Sequence, residues 1–310
     1  MSNYQPELIA TARDIEEVKT VAEAGADAVV IGHERYGLRV AGNFDVTAIG
    51  QAVQHLHACN KKVYVLTNAI FHNDIVQELP DYFTGLAELE VDGIICGDPS
   101  VFPILNELDV DLDVFWNPET LSTNYETLKY WETKGIKRAI LSNELALDAI
   151  ATIKEKINVP VEIQIHGMTC IFQSKRKLVT NYYNYIETDE QLKQDIKSKN
   201  MHLRQSNETD THYPVYEDIN GTHIMSNEDL CMIEHLQEIM DARVDSLRIN
   251  GLFKSREYQQ KAVALYREAI DRHQDIITDY QKHQLKQQIV TMQPNDRKLD
   301  TGFYYKEQIY

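Results

Sequence analysis

The sequence predicts an α/β fold of the TIM type, a (β/α)8 barrel, complete or distorted, carrying a small β-rich insertion after its seventh strand. Three observations lead there. A short apolar strand, a polar strand end and an amphipathic helix follow one another with a period of roughly thirty residues. Eight such strands can be counted, and parallel strands need the helical crossovers that separate them. No Gly-x-Gly-x-x-Gly follows the first strand, so the alternative, a doubly wound open sheet, lacks its usual fingerprint.

In chain order the strands are Glu7 to Thr11, Ala26 to Gly32, Lys62 to Asn68, Asp92 to Asp98, Leu112 to Asn117, Arg138 to Asn143, Val161 to Gly167 and Asp245 to Gly251. Each is a short apolar run that ends in polar residues. Helical periodicity covers Asp14 to Ala24, Thr47 to Ala58, Tyr125 to Thr133, Ala146 to Lys156 and Glu257 to Arg272. Gly25 and Gly135 stand where helices end before the next strand. Between Ile171 and Ser226 the helical period gives way to polar, tyrosine-rich alternation, including Leu178 to Tyr185, which reads as strand. Asn220-Gly221 between two alternating runs predicts a hairpin with a type I′ turn. The expected division is therefore 1–170 for seven barrel units, 171–226 for the insertion, 227–285 for the last barrel unit, and 286–310 for a tail packing on the barrel.

The formal charge of -17, from 48 acids against 31 bases, repels polyanions over most of the surface and restricts nucleic-acid binding to a local basic patch or a partner. The cysteines Cys59, Cys96, Cys170 and Cys231 lie far apart without a Cys-x-x-Cys pair, which argues against a disulfide framework and a zinc site. No signal peptide or membrane span is legible, so a cytoplasmic protein without membrane contact is expected.

The chemistry is expected at the stretch Val161 to Cys170, where an alternating strand ends in a His-Gly turn and a thiol. Regular alternation puts Glu162, Gln164 and His166 on one face. Glu162 and His166 are too far apart on one strand, roughly 13 Å, to share a metal ion, and no metal site is expected. Glu162 reads as a lumen charge paired with Arg138 and Arg248 from the sixth and eighth strands, because an unpaired buried carboxylate is costly. His166, at the rim, reads as a partly exposed acid, base or donor. In a TIM barrel the strand C-termini form the active face. The residues there with ligand-binding character are Arg39, Asn43, Asn68, Asn117, Glu119, Asn250 and Lys254, joined by Arg176 in the basic loop Lys175 to Lys177. Glu144 and Cys170 join His166 as the catalytic candidates.

Glu162-x-x-x-His166-Gly167-x-x-Cys170 resembles the signature of the collagenase-like peptidases of unknown catalytic type, the thirty-second family of the U class. Arg39 to Phe44, Ser142 to Leu145, Asp229 to Cys231, Asp245 to Gly251 and Thr301 to Phe303 extend the resemblance over nearly the whole chain. The length and the run Phe172 to Arg176 look most like the shorter of two paralogues found together in Gram-positive bacteria.

The resemblance implies one of two activities. Some members are labelled peptidases; others support oxygen-independent hydroxylation, including 5-hydroxylation of the tRNA wobble uridine with prephenate as donor. It also implies an iron–sulfur cluster on four cysteines in several members, of which only Cys170 and Cys231 match here, with Lys177 at a third position. No cluster is therefore expected on this chain alone. Asn143 and Asn250-Gly251-Leu252 replace charged residues usual in the family, which points to the accessory half of a pair. The expected partners are a longer paralogue, tRNA through that complex, and a second copy of the chain in isolation. Three readings stand: a tRNA hydroxylation protein, a peptidase, and a non-catalytic barrel subunit binding a small anionic metabolite.

Overall fold

Side-chain caps set where the helices begin. Asp14, Asp45, Asn124 and Ser255 each accept a hydrogen bond from the amide three residues on, at 2.8, 2.8, 2.9 and 3.1 Å. The computed structural model describes residues 4–186, 201–205, 208–272 and 278–307. Residues 187–200 and 206–207 of the expected insertion, and the last three of the expected tail, lie outside these. The chain divides into two compact units, one formed by Met1–Gly167, Cys231–Gln293 and Thr301–Tyr310, the other by Met168–Leu230 and Pro294–Asp300.

The first unit is a closed barrel. Its strands are β1 (Glu7–Thr11), β2 (Ala28–Gly32), β3 (Lys62–Thr67), β4 (Gly93–Cys96), β5 (Val114–Trp116), β6 (Arg138–Ile140) and β7 (Val161–Gly167), each parallel to the next. The eighth, β13 in chain order (Ser246–Ile249), pairs in parallel with both β7 and β1 and closes the ring. Outside it lie α1 (Ile15–Glu23), α2 (Val46–Ala58), α3 (Asn73–Val76), α4 (Leu79–Glu88), α5 (Val101–Leu108), α6 (Tyr125–Glu132) and α7 (Leu147–Lys156). The helices Leu236–Asp241, Arg256–Asp271 and Asp279–Met292 complete the unit. Near-continuous burial of the strands is what a parallel sheet covered on both faces requires.

Ile9, Val30, Tyr64, Leu66, Ile95, Phe115 and Ile140 fill the lumen as a packed core. At the end where the strands begin, the filling is ionic. Arg138 bonds Glu162 at 3.1 Å and Glu7 at 2.7 Å, Arg248 lies 3.3 Å from the other oxygen of Glu162, and the Tyr64 hydroxyl donates to Glu7 at 2.6 Å. Glu162 is fully buried, and these guanidinium groups offset the cost of burying a carboxylate there.

Regular alternation fails in β7. Gln164 pairs with Arg248 but His166, not Ile165, pairs with Ile249, so one extra residue sits in β7. Glu162 faces the lumen, whereas His166 shares the outward face of Ile249, and its ring meets Tyr258 and Tyr266 of the helix Arg256–Asp271. Gly167 follows with φ +96°, where a Cβ would lie 2.1 Å from the Asn250 carbonyl oxygen. The tail folds onto this unit, with the Tyr304 hydroxyl donating to the Gln164 carbonyl at 2.6 Å.

The second unit holds an antiparallel sheet in the order β8 (Cys170–Ser174), β11 (Gly221–Met225), β10 (Glu208–Asp218), β9 (Met201–Gln205). Leu178–Tyr185, expected as strand, is a helix, α8. The reason is tertiary: Glu217 of β10 accepts the amides of Val179, at 2.8 Å, and Thr180, satisfying donors that a helix start leaves open and adding a favourable charge there. The β10–β11 hairpin forms, but only Gly221 has positive φ, at +109°, while a type I′ turn needs it at Asn220 as well. The pairing of Asp218 with Gly221 makes Gly221 the left-handed residue closing the turn.

Removing the carboxylate shared by two arginines, Glu162→Ala, is expected to cost about 3–5 kcal/mol in urea denaturation, the penalty for an uncompensated buried charge. Burial alone would raise the Glu7 carboxyl, but Arg138, Tyr64 and Lys62 outweigh it and hold Glu7 below the usual carboxylate range. Such a group contributes stability above its unfolded value of about 4.3 that is lost as pH falls through the folded value. Glu7→Gln should therefore flatten the loss of thermal stability below about pH 4.

Candidate functional site

Where the strands end, two clusters form from the expected site residues. In the first, Asn68 at the end of β3 accepts the Leu38 amide at 2.9 Å and donates to Glu119 at 2.9 Å. Arg39 pairs with the other oxygen of Glu119, and Asn117 at the end of β5 accepts the Glu119 amide at 3.2 Å. Arg39 and Glu119 both have left-handed backbone, φ +52° and +59°, a conformation that non-glycine residues hold only when their surroundings impose it. The cluster joins the loops after β2, β3 and β5 and balances one cation against one carboxylate. It presents amides, a guanidinium and a carboxylate around the barrel mouth, a donor-rich set suited to a small polar ligand.

The second cluster gathers on the helix Arg256–Asp271. His166 is 0% exposed, with Nε2 2.9 Å from the Tyr258 hydroxyl and Nδ1 3.4 Å from that of Tyr266. Tyr258 donates to Gln293 at 2.7 Å, and Tyr266 also reaches the Ile165 carbonyl and the Cys231 thiol, the latter at 3.8 Å. Lys254, only 5% exposed, places its ammonium 4.7 Å from the centre of the Tyr258 ring. The expected rim histidine is thus a buried one, because the extra residue in β7 turns it toward the helix layer. Asn250 lies beside this cluster, its amide donating to the His166 carbonyl at 3.0 Å.

The remaining candidates stand apart. Asn43 is exposed and accepts the Glu34 amide at 3.0 Å. Glu144 is exposed beyond β6, its amide donating to Ser142 at 3.3 Å. Cys170 and Arg176 belong to the second unit. Burial pushes the Cys96 and Cys231 thiols up, away from the thiolate form that attacks or binds metal. Among the described residues no group of three His, Cys, Asp or Glu is placed to hold a metal ion.

Sequence reasoning missed Tyr258 and Tyr266 as the partners of His166, and Glu7 as the second carboxylate of the lumen. Both were signalled: two tyrosines eight apart share a helix face, and Glu7 shares a strand face with Ile9.

Fold and site together define a TIM-type α/β barrel with a polar, charge-balanced mouth and an added antiparallel sheet. The chain belongs to peptidase family U32, whose family model matches residues 13–309. It is 44% identical over 308 residues to tRNA hydroxylation protein P2 of Bacillus subtilis (strain 168), covering 99% of each chain. It is 31% identical to tRNA hydroxylation protein P1 of the same organism, covering 86% of this chain and 63% of that one. An uncharacterized protease of Methanocaldococcus jannaschii is 31% identical over 97% of this chain and 73% of its own. The solved structure of a U32 peptidase shares the fold with a TM-score of 0.51 at 15% identity, over 81% of this chain and 94% of that one.

Asn68→Ala should destabilise the protein by about 1–3 kcal/mol, because the Leu38 amide loses its acceptor. Arg39→Ala should cost less than about 1 kcal/mol, as expected for a partly solvated pair. Urea unfolding of both variants measures the difference.

Proposed function

We propose that this chain is a tRNA hydroxylation protein that supports 5-hydroxylation of the wobble uridine, acting beside a longer paralogue. The observation that carries the reading is the 44% identity to tRNA hydroxylation protein P2, which extends over 99% of both chains. A longer relative, tRNA hydroxylation protein P1, occurs in the same organism as P2, which supports a division of labour between paralogues. Such a role places the protein in the cytoplasm with its tRNA. Among the described residues no helix is long and apolar enough to cross a membrane.

The same proposal gives the barrel mouth a small dicarboxylate ligand, prephenate, with Arg39 as the cation that recognises it and Asn68 and Asn117 as neighbouring donors. Arg offers the bidentate geometry a carboxylate prefers. Two matching cysteines do not complete a four-thiolate shell, so the isolated chain carries no iron–sulfur cluster of its own. The peptidase reading has the family name and the archaeal relative behind it. Against it, both ring nitrogens of His166 already face tyrosine hydroxyls, and two of the four thiols are held protonated by burial.

Nucleoside analysis of tRNA from a deletion strain tests the reading beside gelatin and casein digestion by the purified protein. The expected result is loss of 5-hydroxyuridine derivatives with no digestion; intact modification together with digestion overturns it. Iron and sulfide analysis of the chain purified anaerobically is expected to give neither in stoichiometric amount.

A further inference from the structure

In the second unit, α8 begins immediately after Lys175, Arg176 and Lys177. All three are exposed, and among the described residues none of them forms an ion pair. Three acids described in this unit are engaged with other groups. Glu217 is held by the amides of Val179 and Thr180 and by the hydroxyls of Thr180 and Thr222, Asp218 lies 3.0 Å from His223, and Asp229 lies 2.7 Å from Arg297. Because Glu217 fills the amides at the start of α8, an incoming anion meets the three basic side chains rather than the helix terminus.

Along the helix Leu178, Tyr182 and Tyr185 recur at i, i+4 and i+7, one stripe on one face. They are 41%, 59% and 86% exposed. Rings this exposed add little to the packing of their own unit. A run of cations beside solvent-facing rings matches what a single-stranded nucleic acid offers, phosphates for the former and unstacked bases for the latter.

We propose that residues 175–185 form a docking surface for a single-stranded segment of tRNA, with Lys175, Arg176 and Lys177 on the phosphates and Tyr182 and Tyr185 stacking on bases. The inference rests on the tRNA hydroxylation reading and names the surface by which the chain meets its substrate. With a net charge of -17 the chain repels a polyanion at long range, so the contact is short-ranged and sensitive to salt.

The test is fluorescence anisotropy of a labelled, unmodified tRNA transcript with the full-length chain, alone and mixed with the longer paralogue, across a salt series. The variants are K175A/R176A/K177A, Y182A/Y185A and Y182F/Y185F, each checked for unchanged thermal unfolding. The charge variant should lower the log–log salt slope by about 2, from three lost contacts at about 0.7 each on a single strand. The alanine pair should lose roughly 5- to 150-fold in affinity per stacked base with the salt slope unchanged, and the phenylalanine pair should bind as wild type. Wild-type affinity in all three variants overturns the proposal, as does equal competition by a fully duplex RNA. Loss of paralogue association with RNA affinity intact also overturns it and makes the stripe a protein interface. A deletion strain that loses 5-hydroxyuridine while the variants bind tRNA normally removes only the docking surface. A strain that keeps the modification, with no tRNA binding by the wild-type mixture, removes the functional reading and this inference with it.

Discussion

Closure of the ring between β7 and β13 is the constraint on which the rest of the barrel depends. Eight parallel strands leave no edge only if the first and last units meet, and here β13 must pair with β1 on one side and β7 on the other. The pairing is regular where the lumen is charged, from Ser246 with Glu162 to Arg248 with Gln164, and slips by one residue beyond it. Before the slip Glu162 stands among arginines; beyond it His166 is turned among tyrosines. Glycine at position 167 is then required, because the chain leaves the strand against the Asn250 carbonyl.

The two ends of the barrel use charge differently. At the strand starts, Glu7, Arg138, Glu162 and Arg248 lie inside the lumen, where each ion is tolerable only because its partners are held within bonding distance. At the strand ends, Arg39 and Glu119 are partly solvated and sit on loops with left-handed backbone. The first arrangement sustains the fold. The second is a set of donors and acceptors whose balance a charged ligand can shift, which is the property expected of a binding surface rather than of a core.

His166 shows how a motif residue changes meaning with its surroundings. An imidazole beside a thiol in sequence suggests nucleophilic chemistry, but this one is fully buried, with both nitrogens against phenols and the Lys254 ammonium over one of the rings. The two tyrosines fix the orientation of its ring. Its contacts with Tyr258 and Tyr266 join β7 to the helix Arg256–Asp271.

The barrel was legible in the sequence because its signals are local. Apolar strands, capped helices and a regular period arise within each unit, and Glu162 could be matched to Arg138 and Arg248 from strand faces alone. The cluster of Arg39, Asn68, Asn117 and Glu119 was legible as a set, since strand ends converge in any such barrel. Its pairings were not, because they depend on loop conformations that bring residues 39 and 119 together. Three features were decided by tertiary structure. The extra residue in β7 answers the register of β13, a strand some eighty residues later, and no local pattern records it. The helical state of Leu178–Tyr185 depends on a carboxylate from β10 that overrides the strand preference of its tyrosines. The exposure of Tyr182 and Tyr185 follows from that same helix, since a strand would have sent alternate tyrosines to opposite faces.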